Sequence, residues 1–256
     1  METRTFLAAL AAMFFLAGCA SIPSGKADPR DPLERFNRSV YRFNVGADRA
    51  IFRPAAKAWR AVVPRPVRRG LSNFVGNLEY PVTIINDVLQ GKLTDGGRDV
   101  TRLLINSVAG LGFFDPATRA GFERHDEDFG QTLGKWGVPP GPYLMVPLLG
   151  PSSLRDAPAK LADEYTNGRH YIQDPDVRWG LWATDKLELR ATLLDADATL
   201  ERSYDPYAFV RNAWLQRRQY LVKDGAVDET PADFGDDAPP DVAPDTGGDP
   251  TGVKPP

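Results

Sequence analysis

Asp31-Pro32-Leu33-Glu34-Arg35-Phe36-Asn37-Arg38-Ser39-Val40-Tyr41-Arg42-Phe43 decides the fold class. An acid, then proline, then a second acid three positions after the first spell the start of a helix. The acids suit the free amides of a first turn, and proline gives up nothing there. Apolar residues then recur at Leu33, Phe36, Val40, Phe43 and Ala47, a spacing that lines one side of a helix. The same grammar continues outward. Pro54 to Val63 reads as a second helix, stopped by Pro64 and Pro66, and Pro66 to Val75 as a third. Pro81 to Gln90 reads as a fourth, with Gly91 as its stop. A fifth, Asp95 to Gly110, carries Val100, Leu103, Leu104, Ser107, Val108 and Leu111 along one face. Trp182, Leu189, Leu193, Ala196 and Leu200 mark a long amphipathic helix. Asp205-Pro206 starts the last, with Phe209, Val210, Ala213, Trp214 and Leu221 on its inner side. Strand alternation is scarce and no fixed repeat is visible, so the predicted architecture is mainly α.

Upstream of this body, Met1 to Thr5 leads into an apolar run from Phe6 to Leu16 that ends on Leu16-Ala17-Gly18-Cys19. That is a secretory signal peptide, too short to stay behind as a spanning helix. Its ending looks like the lipobox of bacterial lipoproteins, in which the cysteine thiol takes a diacylglyceryl group and the new amine is acylated after cleavage. Cys19 is the single cysteine of the chain, so no disulfide competes for it. One acyl chain anchors only marginally, at about 0.8 kcal/mol per buried methylene, whereas three hold firmly. Residue 20 is Ala and not the Asp that resembles an inner-membrane retention signal, which favours the outer membrane.

Composition divides the chain further: signal peptide 1–18, lipidated tether 19–30, helical domain 31–223, and tail 224–256. The tail holds nine acids and one base and is dominated by Asp, Pro, Gly and Ala. Such a stretch cannot bury enough apolar surface to offset its ordering entropy, and it is expected to be disordered. The body between Cys19 and Lys223 is mildly basic, with 29 bases against 24 acids.

Three stretches of the body carry functional interest. Trp136 through Leu154 is 19 residues without a charge, yet five prolines and three glycines forbid a regular helix through it. It reads either as an apolar loop under a helical core or as a wall of a lipid-accessible cavity. Irregular backbone at membrane depth is tolerated only where it is buried in protein or lines a cavity. Gly110-Leu111-Gly112-Phe113-Phe114-Asp115-Pro116 reads as a helix–turn–helix corner, as a hinge at Gly110 and Gly112, or as a membrane-facing aromatic edge. Between Asp48 and Glu79 there are seven bases and no acid. Arg53, Lys57, Arg60, Arg65, Arg68 and Arg69 are either a solvated face or contacts for phosphate headgroups or an acidic partner, because arginine grips phosphate bidentately.

Chemistry is poorly provided for. There is no Gly-x-Ser-x-Gly elbow and no phosphate-cradling loop. Ser152 and Ser153 read as a turn into a helix, and His125 and His170 lack metal-ligand spacing. His125-Asp126-Glu127-Asp128 reads as an acidic turn before Phe129-Gly130. No enzyme activity, metal or cofactor is expected beyond the covalent lipid on Cys19. The secretory compartment excludes nucleic acid.

Several phrases together resemble one family, the MlaA (VacJ) outer-membrane lipoproteins. They include Asp31-Pro32-Leu33-Glu34-Arg35-Phe36-Asn37-Arg38, Gly70-Leu71-Ser72-Asn73-Phe74 and Asn86-Asp87-Val88-Leu89-Gln90-Gly91. Asn106 to Pro116, Glu127 to Gly134, Gly150 to Asp156, Arg190 to Asp197 and Asp205-Pro206-Tyr207 follow in order, so the likeness runs from about residue 28 to 221. The resemblance implies a single ring-like helical domain around an amphipathic channel, anchored on the periplasmic side of the outer membrane. It implies removal of mislocalised phospholipids from the outer leaflet through that channel to a soluble periplasmic carrier, with a trimeric porin as a further partner. A charge at the bilayer centre costs at least about 2.5–3.5 kcal/mol, so a polar route is physically required. On this reading Leu111, Phe113, Phe114, Tyr143, Leu144, Met145, Val146 and Leu148 form the channel or membrane-facing wall. The alternative is a structural lipoprotein that scaffolds porins or envelope contacts and moves no lipid.

Overall fold

Helix α1 (Glu34–Ala47) forms where the apolar spacing places it. The computed structural model describes residues 28–226, and the signal peptide, Cys19, most of the tether and residues 227–256 of the tail lie outside the described residues. A π turn (Asp48–Phe52) runs from α1 without a break into α2 (Arg53–Val62). Then follow α3 (Arg65–Leu89), α4 (Leu93–Val108), the short α5 (Pro116–Arg119) and α6 (Phe129–Lys135). Strands β1 (Tyr143–Val146) and β2 (Gly150–Ser153) come next. The chain ends in α7 (Asp156–Thr166), a 3-10 turn (Gly168–Tyr171), α8 (Pro175–Leu193), a second 3-10 turn (Leu194–Ala196), α9 (Asp197–Arg202) and α10 (Pro206–Val222). The molecule is mainly helical, as the spacing predicts. None of the described helices is long and apolar enough to cross a membrane.

Several expectations are corrected. Asp31 does not cap α1. It is buried and accepts from Asn37 Nδ2 at 2.7 Å, from Arg211 Nη1 at 3.2 Å and from the Tyr207 hydroxyl. The two helices expected on either side of residues 76–80 are one, with Pro81 inside it. Packing of α3 against α4, α7 and α8 overrides the roughly 3 kcal/mol that an interior proline costs. Gly91 does end α3: at φ +79° it lets Lys92 N–H reach Asp87 O and Gly91 N–H reach Val88 O, a Schellman closure. The long helix expected around residues 182–200 is broken at Leu194–Ala196. The last helix begins as expected, Asp205 accepting from the Tyr207 and Ala208 amides, but it buries Tyr207 and Arg211 and leaves Phe209 and Ala213 exposed. The body also reaches past both expected boundaries. Asp28 pairs with Arg211 at 3.1 Å, and Asp224 bridges Lys92 and Lys135.

Packing runs in a closed circuit. From α1 it passes through the π turn to α2, on to α8, to α3, to α6 and α7, to α10 and β2, and through β1 back to α1. A circuit of single elements leaves little room for a thick apolar core. The cluster around Val40, Tyr143, Met145 and Tyr207 is small, and buried polar and charged side chains outnumber buried apolar ones among the described residues. Polar ties close the circuit instead. Arg218 on α10 grips Asp128 at 2.6 Å on both guanidinium nitrogens and Asp156 at 3.0 Å, joining α6, α7 and α10. Against burial, which alone would raise it, the Arg218 guanidinium holds the Asp128 carboxyl below its ordinary range.

Candidate functional site

The uncharged segment 136–154 is neither a loop nor a helix: its second half is a two-stranded hairpin. Tyr143 pairs with Ser153, Leu144 with Ser152, Met145 with Pro151 and Val146 with Gly150, antiparallel. Such a hairpin has an open edge whose peptide groups need partners. Two asparagines of α1 supply them. Asn37 Nδ2 donates to Tyr143 O at 3.0 Å and Asn37 Oδ1 accepts from Met145 N–H at 2.8 Å. Two turns further along α1, Asn44 Nδ2 donates to Val146 O at 3.0 Å and Asn44 Oδ1 accepts from Leu148 N–H at 2.8 Å. The asparagines act as a third strand. The sequence did hold a sign of this, Phe36-Asn37 repeated as Phe43-Asn44 seven positions on, which the helical reading passed over.

Alternation along β1 divides the residues expected to form a wall. Tyr143 is wholly buried and Met145 is 2% exposed, both in the cluster with Val40 and Tyr207. Those two side chains fill the core, which corrects their assignment to a channel or membrane face. Leu144 and Val146 point the other way and are half-buried. At the tip of the hairpin Leu148 is exposed at φ +61°, a backbone conformation that glycine or asparagine adopts far more readily.

The glycine turn between α4 and α5 has the same character. Leu111 lies at φ +51° and is 73% exposed, and Phe114 is 68% exposed. Phe113 is stacked on Phe74 at 4.8 Å between ring centres. Asparagines again hold the backbone: Asn77 Nδ2 donates to Gly112 O at 2.9 Å and Asn73 Nδ2 to Phe113 O at 3.0 Å, both from α3. Beneath the turn, Asn106 accepts from Ala117 N–H at 3.1 Å and donates to Asp115 Oδ1 at 3.1 Å. A Cβ at Gly110 would sit 2.5 Å from Phe114 O and 2.6 Å from Asn106 O. Gly110 therefore serves close backbone approach in this corner.

The basic run splits in two. Arg53 Nη1 donates to Glu201 at 2.8 Å, Arg60 Nη1 to Asp195 at 2.9 Å, and the buried Arg68 to Glu188 at 2.8 Å, all acids on or after α8. These three ends are engaged within the body, which corrects their assignment as headgroup contacts. Counting bases along the sequence could not reveal acids more than a hundred positions away. Lys57, Arg65 and Arg69 remain exposed.

The remaining titratable groups are inside. Asp99 is fully buried and accepts from Tyr80 Oη at 2.8 Å and meets His125 Nδ1 at 3.0 Å. Beside it Asp87 is 1% exposed, and neither of its oxygens has a hydrogen-bond donor among the described residues. Burial and the neighbouring Asp99 push the Asp87 carboxyl up to about 7. His170 packs between Tyr165 and Tyr171. Ser152 and Ser153 are buried on β2, not in a turn, and Ser153 Oγ accepts from Asp156 N–H. Asp128 caps α6 by accepting from Gln131 N–H at 2.8 Å, as an acidic turn before Phe129 should.

Comparison with known proteins gives one answer. A family model described as MlaA lipoprotein matches residues 29–221. The intermembrane phospholipid transport system lipoprotein MlaA of Escherichia coli is 42% identical over 217 residues, covering 83% of this chain and 86% of that protein. Its counterpart in Haemophilus influenzae is 34% identical over 250 residues, covering 93% and 98%. A solved structure, from work on the structural basis for maintenance of bacterial outer membrane lipid asymmetry, superposes with a TM-score of 0.69 at 40% identity. It spans 75% of this chain and 98% of that one.

Proposed function

The chain belongs to the MlaA lipoprotein family, and on that premise we propose how its parts serve intermembrane phospholipid transport. The protein is an envelope lipoprotein that maintains outer-membrane lipid asymmetry by removing mislocalised phospholipids. Cys19 carries the covalent lipid that holds the body on the periplasmic side of the outer membrane. The lipid path is bounded by Leu111, Phe113 and Phe114 on one turn and by Leu144, Val146 and Leu148 on the other. Lys57, Arg65 and Arg69 meet phosphate headgroups or an acidic partner. A trimeric porin seats the body and a soluble periplasmic carrier accepts the lipid. The protein works by lowering a transfer barrier without chemical transformation.

The observation that carries this reading is the pair of turns. Each exposes leucine on strained backbone, and in each asparagine side chains tie two of the turn's peptide groups. That combination suits a surface that meets hydrocarbon: apolar groups outward, with fewer peptide groups left to be desolvated. The test is transfer. Purified protein reconstituted in a bilayer beside a lipid-free carrier should load the carrier with phospholipid. A scaffold with no lipid path would leave the carrier empty.

A further inference from the structure

A cavity of about 620 Å³ opens between the end of α1, the π turn and the α8–α9–α10 corner. Four arginines and three carboxylates line it, and the carboxylates are already engaged. Asp48 takes Arg190 Nε at 2.7 Å and Nη2 at 2.9 Å. Asp197 takes Arg190 Nη2 at 3.0 Å and forms an ion pair with Arg53 Nε at 3.0 Å, and Glu201 takes Arg53 Nη1 at 2.8 Å. Arg42 and Arg49 are the two left over. Arg42 makes one weak contact, Nη2 to Ser39 Oγ at 3.3 Å, and neither pairs with a carboxylate among the described residues. Both line the same cavity, beside Tyr41.

The rest of the lining is apolar. Val45, Leu200 and Pro206 face the cavity beside the two free guanidinium groups. Gly46 completes the α1 side, and a Cβ built there meets nothing within 4 Å. Helical glycine normally costs stability against alanine, so an open glycine at a cavity wall leaves space that a side chain would fill. Two spare arginines with a fixed ion-pair lattice behind them suit an anion bound by charge-assisted, bidentate contacts. Apolar walls on the other side suit the start of a hydrocarbon chain.

We propose that this cavity binds the phosphodiester of a phospholipid, with Arg42 and Arg49 on the phosphate oxygens and Val45 and Leu200 along the glycerol and first acyl carbons. The choice of a lipid as ligand rests on the transport reading above; the anion chemistry does not. The shared chemistry, a phosphate oxyanion, also belongs to inorganic phosphate, and the two sources are separable by their apolar part.

The experiment uses the full chain in uncharged detergent, titrated by calorimetry with dihexanoylphosphatidylglycerol and, in parallel, with inorganic phosphate. The wild type should bind the lipid and bind inorganic phosphate at least about tenfold more weakly, because only the lipid fills the apolar wall. The double variant Arg42→Gln/Arg49→Gln should weaken lipid binding roughly tenfold or more, while Arg42→Lys/Arg49→Lys, which keeps the charge and loses the bidentate fork, should weaken it less. Gly46→Phe occupies the cavity without changing its net charge and should abolish lipid binding in a protein that melts normally. Equal affinity for inorganic phosphate and lipid would overturn the lipid assignment. Binding within twofold of wild type by both the glutamine and the Gly46→Phe variants would overturn the site. The transfer assay separates the two ideas: a wild type that binds the short-chain lipid but loads no carrier contradicts transport and keeps this site. Efficient loading with unaltered binding by the variants does the reverse.

Discussion

The hairpin tip and the glycine turn solve one problem in two ways. Each places a leucine in left-handed backbone and exposes it, Leu148 at φ +61° and Leu111 at φ +51°, and each hangs its peptide groups on two asparagines of a neighbouring helix. They differ in what lies behind. Behind Leu148, β1 drives Tyr143 and Met145 into the aromatic cluster with Tyr207 and Trp214, so the hairpin is part of the core. Behind Leu111, the turn rests on Phe74 and on the polar corner of Asn106 and Asp115, and Phe114 is exposed alongside it. One turn is welded to the fold and the other is propped on it. Exposed apolar surface can thus be carried by a thin helical circuit provided that its backbone is tied by side-chain amides.

The comparison breaks most visibly at Asn37. Asn37→Ala removes hydrogen bonds to Tyr143 O, Met145 N and Asp31 Oδ1, leaving buried groups unsatisfied, and should destabilise the protein by about 3–4 kcal/mol in chemical unfolding. A loss below about 1 kcal/mol would mean that water replaces the amide and that the hairpin edge is not welded.

Gly110→Ala should act more locally. The added methyl group must push backbone carbonyls 2.5 and 2.6 Å away, at about 1–3 kcal/mol, and the shift should raise hydrogen exchange at residues 111–114 while residues 143–153 keep theirs. Equal loss of protection in both stretches would show that the two turns form one cooperative unit.

A third test is by pH. Asp87 on α3 and Asp99 on α4 form a buried acidic joint at the Gly91 end of that helix pair, with His125 and Glu127 facing them and Tyr80 and Arg102 beyond. The folded protein keeps a proton on Asp87 up to about 7, whereas the unfolded chain releases it near 3.8. Stability contributed by this group is full below pH 4 or so and falls as pH rises toward about 7. Melting temperature should therefore drop across that window, and Asp87→Asn should flatten the slope. An unchanged slope in Asp87→Asn would assign the titration elsewhere.

What the sequence allowed to be read follows from the range of each interaction. Helix α1, the Gly91 stop and the Asp205 cap are written within a few residues, and they were legible. Membership of a lipoprotein family was legible because its phrases are contiguous. The hairpin was not, since its pairing rests on Asn37 and Asn44 a hundred positions upstream and its strands are only four residues long. Pro81 misled because proline is a local signal and the packing that overrides it is not. Likewise Arg68 looked like a free cation until Glu188 met it. Of the expected wall, Tyr143 and Met145 fall in the core, a division that follows from strand alternation and needs the strand to be known first.

The central claim is that the two leucine-tipped turns meet lipid while polar ties and the small core hold the fold. It is tested most directly by a Leu111→Gly/Leu148→Gly double variant, measured for phospholipid transfer from a bilayer to a lipid-free carrier and for thermal stability in the same preparation. Glycine relieves left-handed strain, so stability should hold or rise by up to about 1 kcal/mol per site. Transfer should fall steeply. Transfer at the wild-type rate in a protein of unchanged stability would contradict the account, because the strained leucines would then serve no purpose at the lipid face.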